Sequence, residues 1–336
     1  MALREAKYFY VLPCLLGFVL AYVLRVIRWR SLISEVKEVS FLNVFSATSI
    51  GFMANHLLPA RAGEIVRTVF LGKKENLGMP TIFATIVMER LLDSMSLIIL
   101  ATVTFALIPS LHNSCIDKAL ALSNIDRPEG LSLQPQEALL IQDSHFLLQL
   151  KSGVGILGAI CIVSLLFFIL LDLYSKQSLD LVRQLFFFMP HKLKEQLIKI
   201  LESFVLGLRV LKSGWQVLWL AALSFGIWFL FITGIYILGY SFGIKVPFIG
   251  MCLVVVCTSL AIALPQAPGY IGVFHLAVLK SLELFHVEAS AAQSFAIVLW
   301  VLNLFIPLSF GSFFLWREGT GLGQIMKGSS SSEGQA

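Results

Sequence analysis

The sequence predicts an all-α polytopic membrane protein with about five full transmembrane helices and two re-entrant broken-helix hairpins in an inverted repeat. Hydrophobic residues make up 57% of the 336 residues, charged residues only 13%, and the mean hydropathy is +0.86. An ordinary soluble domain carries about 25% charged residues. So few charges cannot cover a surface that faces water, so the composition excludes a soluble protein.

Long apolar runs place the full helices. A helix needs about 20 apolar residues to cross the hydrocarbon core of a bilayer. Segment 81–108 is long enough although it contains Glu89, Arg90 and Asp93. The other segments that reach this length are 9–27, 152–171, 215–242 and 289–316.

Proline and glycine interrupt two further apolar stretches. The stretch 41–72 breaks at 58–63, and the stretch 246–286 breaks at 264–269. Because proline removes a backbone donor and clashes with the preceding turn, each stretch is predicted to form two short helices. Irregular backbone at membrane depth is tolerated only where it is buried in protein or lines a cavity.

Loop charges predict the orientation of these segments. Loop 109–146 has two basic and five acidic residues, whereas 172–213 has seven basic and four acidic residues. Basic loops stay in the cytoplasm, so the first should lie outside and the second inside. The stretch 41–72 must then enter and leave on the inner side, and 246–286 on the outer side.

The result is a single transmembrane domain over 1–327, built from two repeats of opposite orientation. Broken helices that meet near the midplane in inverted repeats are typical of secondary transporters. The expected parts are a first repeat over 1–108 with the inner hairpin 41–72, an outer loop 109–146, a central helix 147–171, a cytoplasmic amphipathic linker 172–213, a second repeat over 215–316 with the outer hairpin 246–286, and a disordered tail 328–336.

The first polar cluster lies at the inner hairpin. It consists of Asn55, Arg61, Glu64 and Arg67 around Pro59 and Gly63. A helix that begins near 60–63 would present free N–H groups and its positive dipole end. Together with a guanidinium this suits phosphate binding. The alternative is a salt-bridged structural hairpin in which Glu64 pairs with Arg61 or Arg67.

Two more clusters could contact a substrate or a coupling ion. Glu89, Arg90 and Asp93 are predicted to face the bundle, since isolated charges in a membrane are costly. They form either an internal ion-pair clamp, against Arg61 or Arg67, or a proton or ion site. The outer hairpin offers a third cluster, which is a substrate-site candidate or a packing feature: Gln266, Gly269, Gly272 and His275.

Other functions lack sequence support. No dense basic block indicates nucleic-acid binding, and the five cysteines form no CxxC pair. No GxSxG, HExxH or Walker A motif occurs, and the metal-ligating residue types are scattered. We therefore expect no cofactor, no metal site and no enzymatic activity.

Three motifs carry a family resemblance. These are Arg25-x-x-Arg28-Trp-Arg30, the run from Asn55 to Arg67 that includes Pro-Ala-Arg-Ala-Gly-Glu, and Glu89-Arg-Leu-Leu-Asp93. Together they resemble the membrane domain of lysylphosphatidylglycerol synthases, which also occurs alone in the flippase-like UPF0104 family. The run from Pro265 to Phe274 is similar to the second motif of that family.

The resemblance implies movement of aminoacylated or other anionic lipids between leaflets. Where the family usually has Glu after the second motif, this chain has His275. Only 20 residues follow Trp316, so we expect no soluble aminoacyl-transferring domain and no lysyl transfer.

The functional hypothesis is a flippase-like transporter for a phosphate-bearing lipid in the cell (inner) membrane. Membrane lipids are then the expected partners, and Arg61 and Arg67 would bind the phosphate. The alternatives are a membrane-embedded enzyme acting on a lipid head group, and a non-transporting partner subunit of a lipid-synthesising enzyme.

Overall fold

A computed structural model describes residues 6–58, 62–107, 214–263 and 268–319, with a few positions between 150 and 163. Short 3₁₀ turns at Tyr8–Tyr10 and Pro268–Tyr270 accompany the α-helices of the four longer stretches. These helices are α1 Val11–Ser34, α2 Phe41–Leu57, α3 Gly63–Glu75, α4 Met79–Leu107, α5 Gly214–Ser241, α6 Phe248–Ala263, α7 Val273–Glu283 and α8 Ala289–Glu318.

Four of these helices are long and apolar enough to cross a membrane, namely α1 with its preceding turn, α4, α5 and α8. The predicted all-α polytopic class is therefore confirmed. The predicted central helix 147–171 lies mostly outside the described residues, although the described positions there are helical. The outer loop, the cytoplasmic linker and the tail also lie outside them.

The order of long, short, short and long helix occurs twice, in α1–α4 and in α5–α8. Helices of one repeat pack against helices of the other repeat in an equivalent way. The first helices, α1 and α5, pack along each other. Helix α2 packs on α8, and its counterpart α6 packs on α4. Because these main contacts between the repeats are equivalent, the two repeats form one interlocked bundle.

Helices α1 and α5 run in opposite directions. The Lys7 N–H donates a hydrogen bond of 3.0 Å to the Ser241 carbonyl near the start of α1. Farther along, Arg28 Nη1 donates to Ser224 Oγ over 2.9 Å, and beyond the end of α1 the Gln216 amide donates to the Glu35 carboxylate. As the number rises on one helix it falls on the other, so the predicted inverted repeat is confirmed.

The first hairpin, α2 with α3, folds back on itself. At its tip the Gly63 N–H donates to Asn55 Oδ1 over 2.9 Å, and at its open end Asn43 Nδ2 donates to Glu75 Oε1 over 2.6 Å. The two helices touch closely, since a Cβ on Gly63 would lie 2.0 Å from the Gly51 carbonyl oxygen. Only glycine fits at this position.

The second hairpin, α6 with α7, opens at the other end of the bundle. Its open end follows Ser241, beside the start of α1, whereas the first hairpin opens beside the end of α1. Its tip needs backbone that L-residues rarely adopt, with φ of 73° at Gly269 and 88° at Gly272. The two tips meet where the His56 and Tyr270 rings pack edge to face, 5.4 Å apart.

Candidate functional site

A buried ion-pair network joins α1, α3 and α4. Glu89 lies at its centre and is fully buried. Its carboxylate accepts from Arg67 Nη2 at 2.6 Å and from Arg90 Nη2 at 2.9 Å. Arg28 Nη2 lies 3.7 Å from the same carboxylate. Three guanidinium groups therefore surround one carboxylate in the interior of the bundle.

Asp93 and Glu64 extend this network. Asp93 accepts from Arg28 Nη2 at 2.6 Å, and its second oxygen lies 3.6 Å from Arg90. Among the described residues Glu64 pairs with Arg90, at 3.8 Å, and not with Arg67, which was one of the two predicted partners. The other predicted partner, Arg61, lies outside the described residues. Helical spacing suggested the local pair, but Arg67 turns towards Glu89 on another helix.

Arg67 is enclosed by contacts with α1 and α4. Its guanidinium carbon lies 3.4 Å from the centre of the Trp29 ring, a cation–π contact. The indole N–H of Trp29 in turn donates to Thr85 Oγ1 over 3.0 Å. Since Arg67 is 1% exposed and bound to Glu89, it ties α3 to α1 and α4.

The network lies near the middle of the predicted membrane thickness. Arg25 is nine residues before the end of α1 at Ser34, and Glu89 is ten residues after the start of α4 at Met79. At 1.5 Å per residue, both lie about 14–15 Å from that shared end of the bundle. Both helices are longer than a hydrocarbon core of about 30 Å, and the two positions lie about 4 Å and 6 Å from the midpoints of their helices.

Two adjoining cavities lie beside the network, between the repeats. Cavity A has a volume of about 250 Å³ and contacts Tyr22, Asn55 and Glu64. Cavity B has a volume of about 340 Å³ and contacts Asp93, Trp228 and Trp300. Both cavities are lined by Arg25, His56, Arg90, Phe231, Ile262, Tyr270 and Asn303. The tips of both hairpins therefore contribute to one polar and aromatic chamber.

Arg25 is the cation of this chamber that forms no ion pair within 4 Å among the described residues, although the charge of Asp93 acts on it from farther away. Its guanidinium carbon lies 5.5 Å from the centre of the Phe52 ring. The other arginines, Arg28, Arg67 and Arg90, each contact Glu89. The described cluster thus has four arginines against the carboxylates of Glu64, Glu89 and Asp93, a net formal charge of +1.

The structure brings together part of the predicted site. Asn55 and Glu64 line cavity A, Asp93 lines cavity B, and Arg90 lines both. Asn55 Oδ1 is engaged at the start of α3, where it accepts from the Gly63 N–H. Arg67 and Glu89 lie buried beside the chamber and are not among the described residues that line it.

The described members of the third predicted cluster lie beside this chamber and do not line it. The His275 ring packs 5.6 Å from the Trp300 ring, and His275 lines neither cavity. The Gly269 carbonyl accepts from Trp300 Nε1 over 2.7 Å, and Gly272 has no atom within 4 Å of a would-be Cβ. Arg61 and Gln266 lie outside the described residues.

Sequence reasoning missed Arg25 and Arg28. In the sequence both residues contributed to the family resemblance, and neither was assigned to a polar cluster. In the structure α1 continues to Ser34, and Arg28 is fully buried in the network. Helical periodicity could have shown that both arginines face the bundle. They follow the buried residues Phe18, Ala21 and Tyr22 at helical spacing on the same face.

Within the described ranges, no three His, Cys, Asp or Glu side chains are arranged to hold a metal ion. The described cysteines, Cys14, Cys252 and Cys257, are buried and unpaired. The chemistry that this chamber supports is recognition of an anion by guanidinium groups, with aromatic and neutral polar side chains around it.

Comparison with known proteins identifies the family of this chain. The family model of the lysylphosphatidylglycerol synthase TM region matches residues 1–124 and 130–311. A UPF0104 membrane protein of Pyrococcus horikoshii is 22% identical over 313 residues, which cover 92% of this chain and 87% of that protein.

A UPF0104 membrane protein of Methanothermobacter thermautotrophicus is 33% identical over 106 residues, 31% of each chain. No solved structure matches the chain. The family match, spanning both repeats and all the motifs above, shows that this multi-pass membrane protein belongs to the lysylphosphatidylglycerol synthase TM region family.

Proposed function

We propose that the chain moves a phosphate-bearing lipid between the two leaflets of its membrane. The observation that carries this proposal is Arg25, a guanidinium inside the membrane-spanning part of α1 that lines both cavities. It has no carboxylate within ion-pair distance among the described residues, and the charge of Asp93 acts on it only from farther away. A charge in that position is costly unless an anion meets it. The chamber therefore has the electrostatics of an anion site.

A lipid phosphate suits this site in geometry as well as in charge. Arginine presents its donors in a planar fork that binds two phosphate oxygens at once. Arg90, which is partly exposed and also lines both cavities, is a second donor within the same chamber. The family takes its name from lysylphosphatidylglycerol synthase, and this supports a lipid as the source of that phosphate.

The inverted hairpins support a transport mechanism. Each hairpin opens at a different end of the bundle, and the two tips meet beside the chamber. Changes at either tip would expose the chamber towards one leaflet at a time, while the acyl chains stay in the bilayer. In this mechanism Glu89 and its arginines fix the position of the helices that carry Arg25 and Arg90.

The test is reconstitution of the purified protein in phosphatidylglycerol-containing vesicles. Acyl-labelled phosphatidylglycerol should redistribute between leaflets faster than in protein-free vesicles, and mass spectrometry should recover it unchanged. Arg25→Ala should slow the movement, whereas Arg30→Ala should not. Arg30 is the matched control because it is exposed on the same helix and donates to the Val39 carbonyl, away from both cavities.

Two outcomes would contradict the proposal. Recovery of a chemically altered lipid would favour an enzyme. Absence of movement in a folded protein, restored by a lipid-synthesising enzyme, would favour a partner subunit.

A further inference from the structure

We infer that cavity B binds a neutral, hydroxyl-bearing head group, so that the substrate is a phosphodiester lipid that ends in a polyol such as glycerol or a sugar. This inference rests on the proposed function and narrows its substrate class. The phosphate would lie where both cavities contact Arg25 and Arg90, and the polyol would extend into cavity B.

Cavity B contains neutral polar groups without partners. The indole N–H of Trp228 is buried and donates to no acceptor. Ser94 and Ser259 also line the cavity and make no hydrogen bond with described residues. Their neighbours behave differently, since Ser96 donates to the Leu92 carbonyl and Thr258 to the Val254 carbonyl. A buried donor without a partner is costly, so the Trp228 N–H favours a ligand that supplies an acceptor, and the two serine hydroxyls can bind the same ligand.

An acceptor lies in the same chamber. Asn303 Nδ2 donates to the Leu299 carbonyl over 2.9 Å, which leaves its Oδ1 as an acceptor. Hydroxyl groups both donate and accept, so a polyol matches a mixture of indole, hydroxyl and amide groups. A hydrocarbon chain in this place would leave every one of these groups unsatisfied.

The walls of cavity B and the local charge agree with this ligand. Its aromatic lining consists of Trp228, Phe231, Tyr270, Phe274 and Trp300. A polyol has both apolar C–H groups and hydroxyl groups, so it suits a cavity in which flat aromatic faces lie beside hydrogen-bonding groups. The described cluster carries a net charge of +1, which one phosphodiester anion neutralises.

The experiment compares two lipids of equal charge in vesicles that contain the purified protein. Acyl-labelled phosphatidylglycerol has a polyol head group, whereas acyl-labelled phosphatidylmethanol has the same phosphodiester without hydroxyls. We expect phosphatidylglycerol to move at least about fivefold faster, the ratio that one hydrogen bond of about 1 kcal/mol supplies. Labelled phosphatidylinositol then distinguishes a sugar-like head group from glycerol.

Variants test whether cavity B causes the preference. Trp228→Phe keeps the aromatic face and removes the N–H, and it should reduce the ratio of the two rates about threefold or more. Trp219→Phe is the matched control on α5, because Trp219 is exposed and lines neither cavity. The Ser94→Ala Ser259→Ala double variant provides the same test if Trp228→Phe does not fold.

Each result decides between the two claims. Equal rates for phosphatidylglycerol and phosphatidylmethanol would overturn this inference and leave the proposed function standing. A preference that survives in folded Trp228→Phe and in the double serine variant would also overturn it. Rates no faster than in protein-free vesicles for all three lipids would overturn the proposed function and this inference with it.

Discussion

The two repeats share one helix order and one packing scheme but differ in what they bury. The first repeat carries every charged residue of the described chain that is almost completely buried, namely Arg28, Arg67 and Glu89. The second repeat contributes neutral groups to the same chamber, among them Ser259, Trp300 and Asn303. Its hairpin has an ion pair between Lys280 and Glu283, but both side chains are about one-third or more exposed.

This difference indicates a division of roles between repeats of the same architecture. The charge network connects α1, α3 and α4 and holds buried arginines inside the bundle, so in the proposed function the first repeat supplies the anion site. The second repeat closes the chamber with aromatic rings and neutral hydrogen-bonding groups. One interaction crosses between them inside the network, where Arg28 donates to Ser224.

The opposite openings of the hairpins give the largest expected effect, an all-or-none difference in labelling. Lys73→Cys and Lys245→Cys each replace an exposed lysine near the open end of one hairpin. In a background without the five native cysteines, an impermeant thiol reagent should label position 73 only from the inner side and position 245 only from the outer side. Labelling of both from one side would contradict the inverted arrangement.

Removal of the central carboxylate should have the largest effect on stability. Glu89→Gln leaves Arg67 and its neighbours without their main counter-charge, and breaking a buried pair costs about 3–5 kcal/mol. We expect a large drop in the thermal unfolding midpoint of the purified protein. The matched variant in the second repeat is Glu283→Gln, whose exposed pair with Lys280 should change stability by less than about 1 kcal/mol. Similar effects of the two variants would show that the repeats do not differ as described.

The hairpin tips should differ in their tolerance of a methyl group. Gly63→Ala places a Cβ against the Gly51 carbonyl and forces α2 and α3 apart, so a loss of about 1–3 kcal/mol is expected. Gly272→Ala meets no atom within 4 Å, so its cost is limited to the backbone strain of its positive φ. Thermal unfolding of both variants measures the difference. A larger loss for Gly272→Ala would contradict the close packing of the first hairpin.

Loss of the cap at the first tip should have the smallest effect. Asn55→Ala removes the acceptor of the Gly63 N–H, which should cost about 1 kcal/mol. Thermal unfolding should detect this small change. If stability is unchanged, the Gly63 N–H finds another acceptor in the variant.

Much of this fold could be predicted from the sequence. Apolar length gave the long helices, and Pro59 with Pro265 predicted the two broken stretches, because bilayer thickness and backbone chemistry act locally. The grouping of Glu89, Arg90 and Asp93 towards the bundle also followed from the cost of charge in lipid. Each of these features is determined by the sequence of a single segment.

The site was less predictable because it depends on contacts between distant segments. Arg25 and Arg28 come at the end of an apolar run, where a charge resembles a membrane boundary, and only the length of α1 shows that they lie inside. The partner of Glu64 is on α4 and not on its own helix. The direction of His275 depends on the positive-φ residues of its hairpin tip, and helical spacing gives no information about them.

The most direct test of the anion site is the affinity of the purified protein for phosphatidylglycerol in mixed micelles. Arg25→Ala should weaken binding by about 1.5–3 kcal/mol, which is a factor of roughly 10 to 150 in Kd. Arg25→Lys should recover only part of this loss, since lysine cannot bind two phosphate oxygens in one plane. Arg30→Ala should bind as the unmodified protein does. Unchanged affinity in a folded Arg25→Ala protein would contradict the assignment of the anion site.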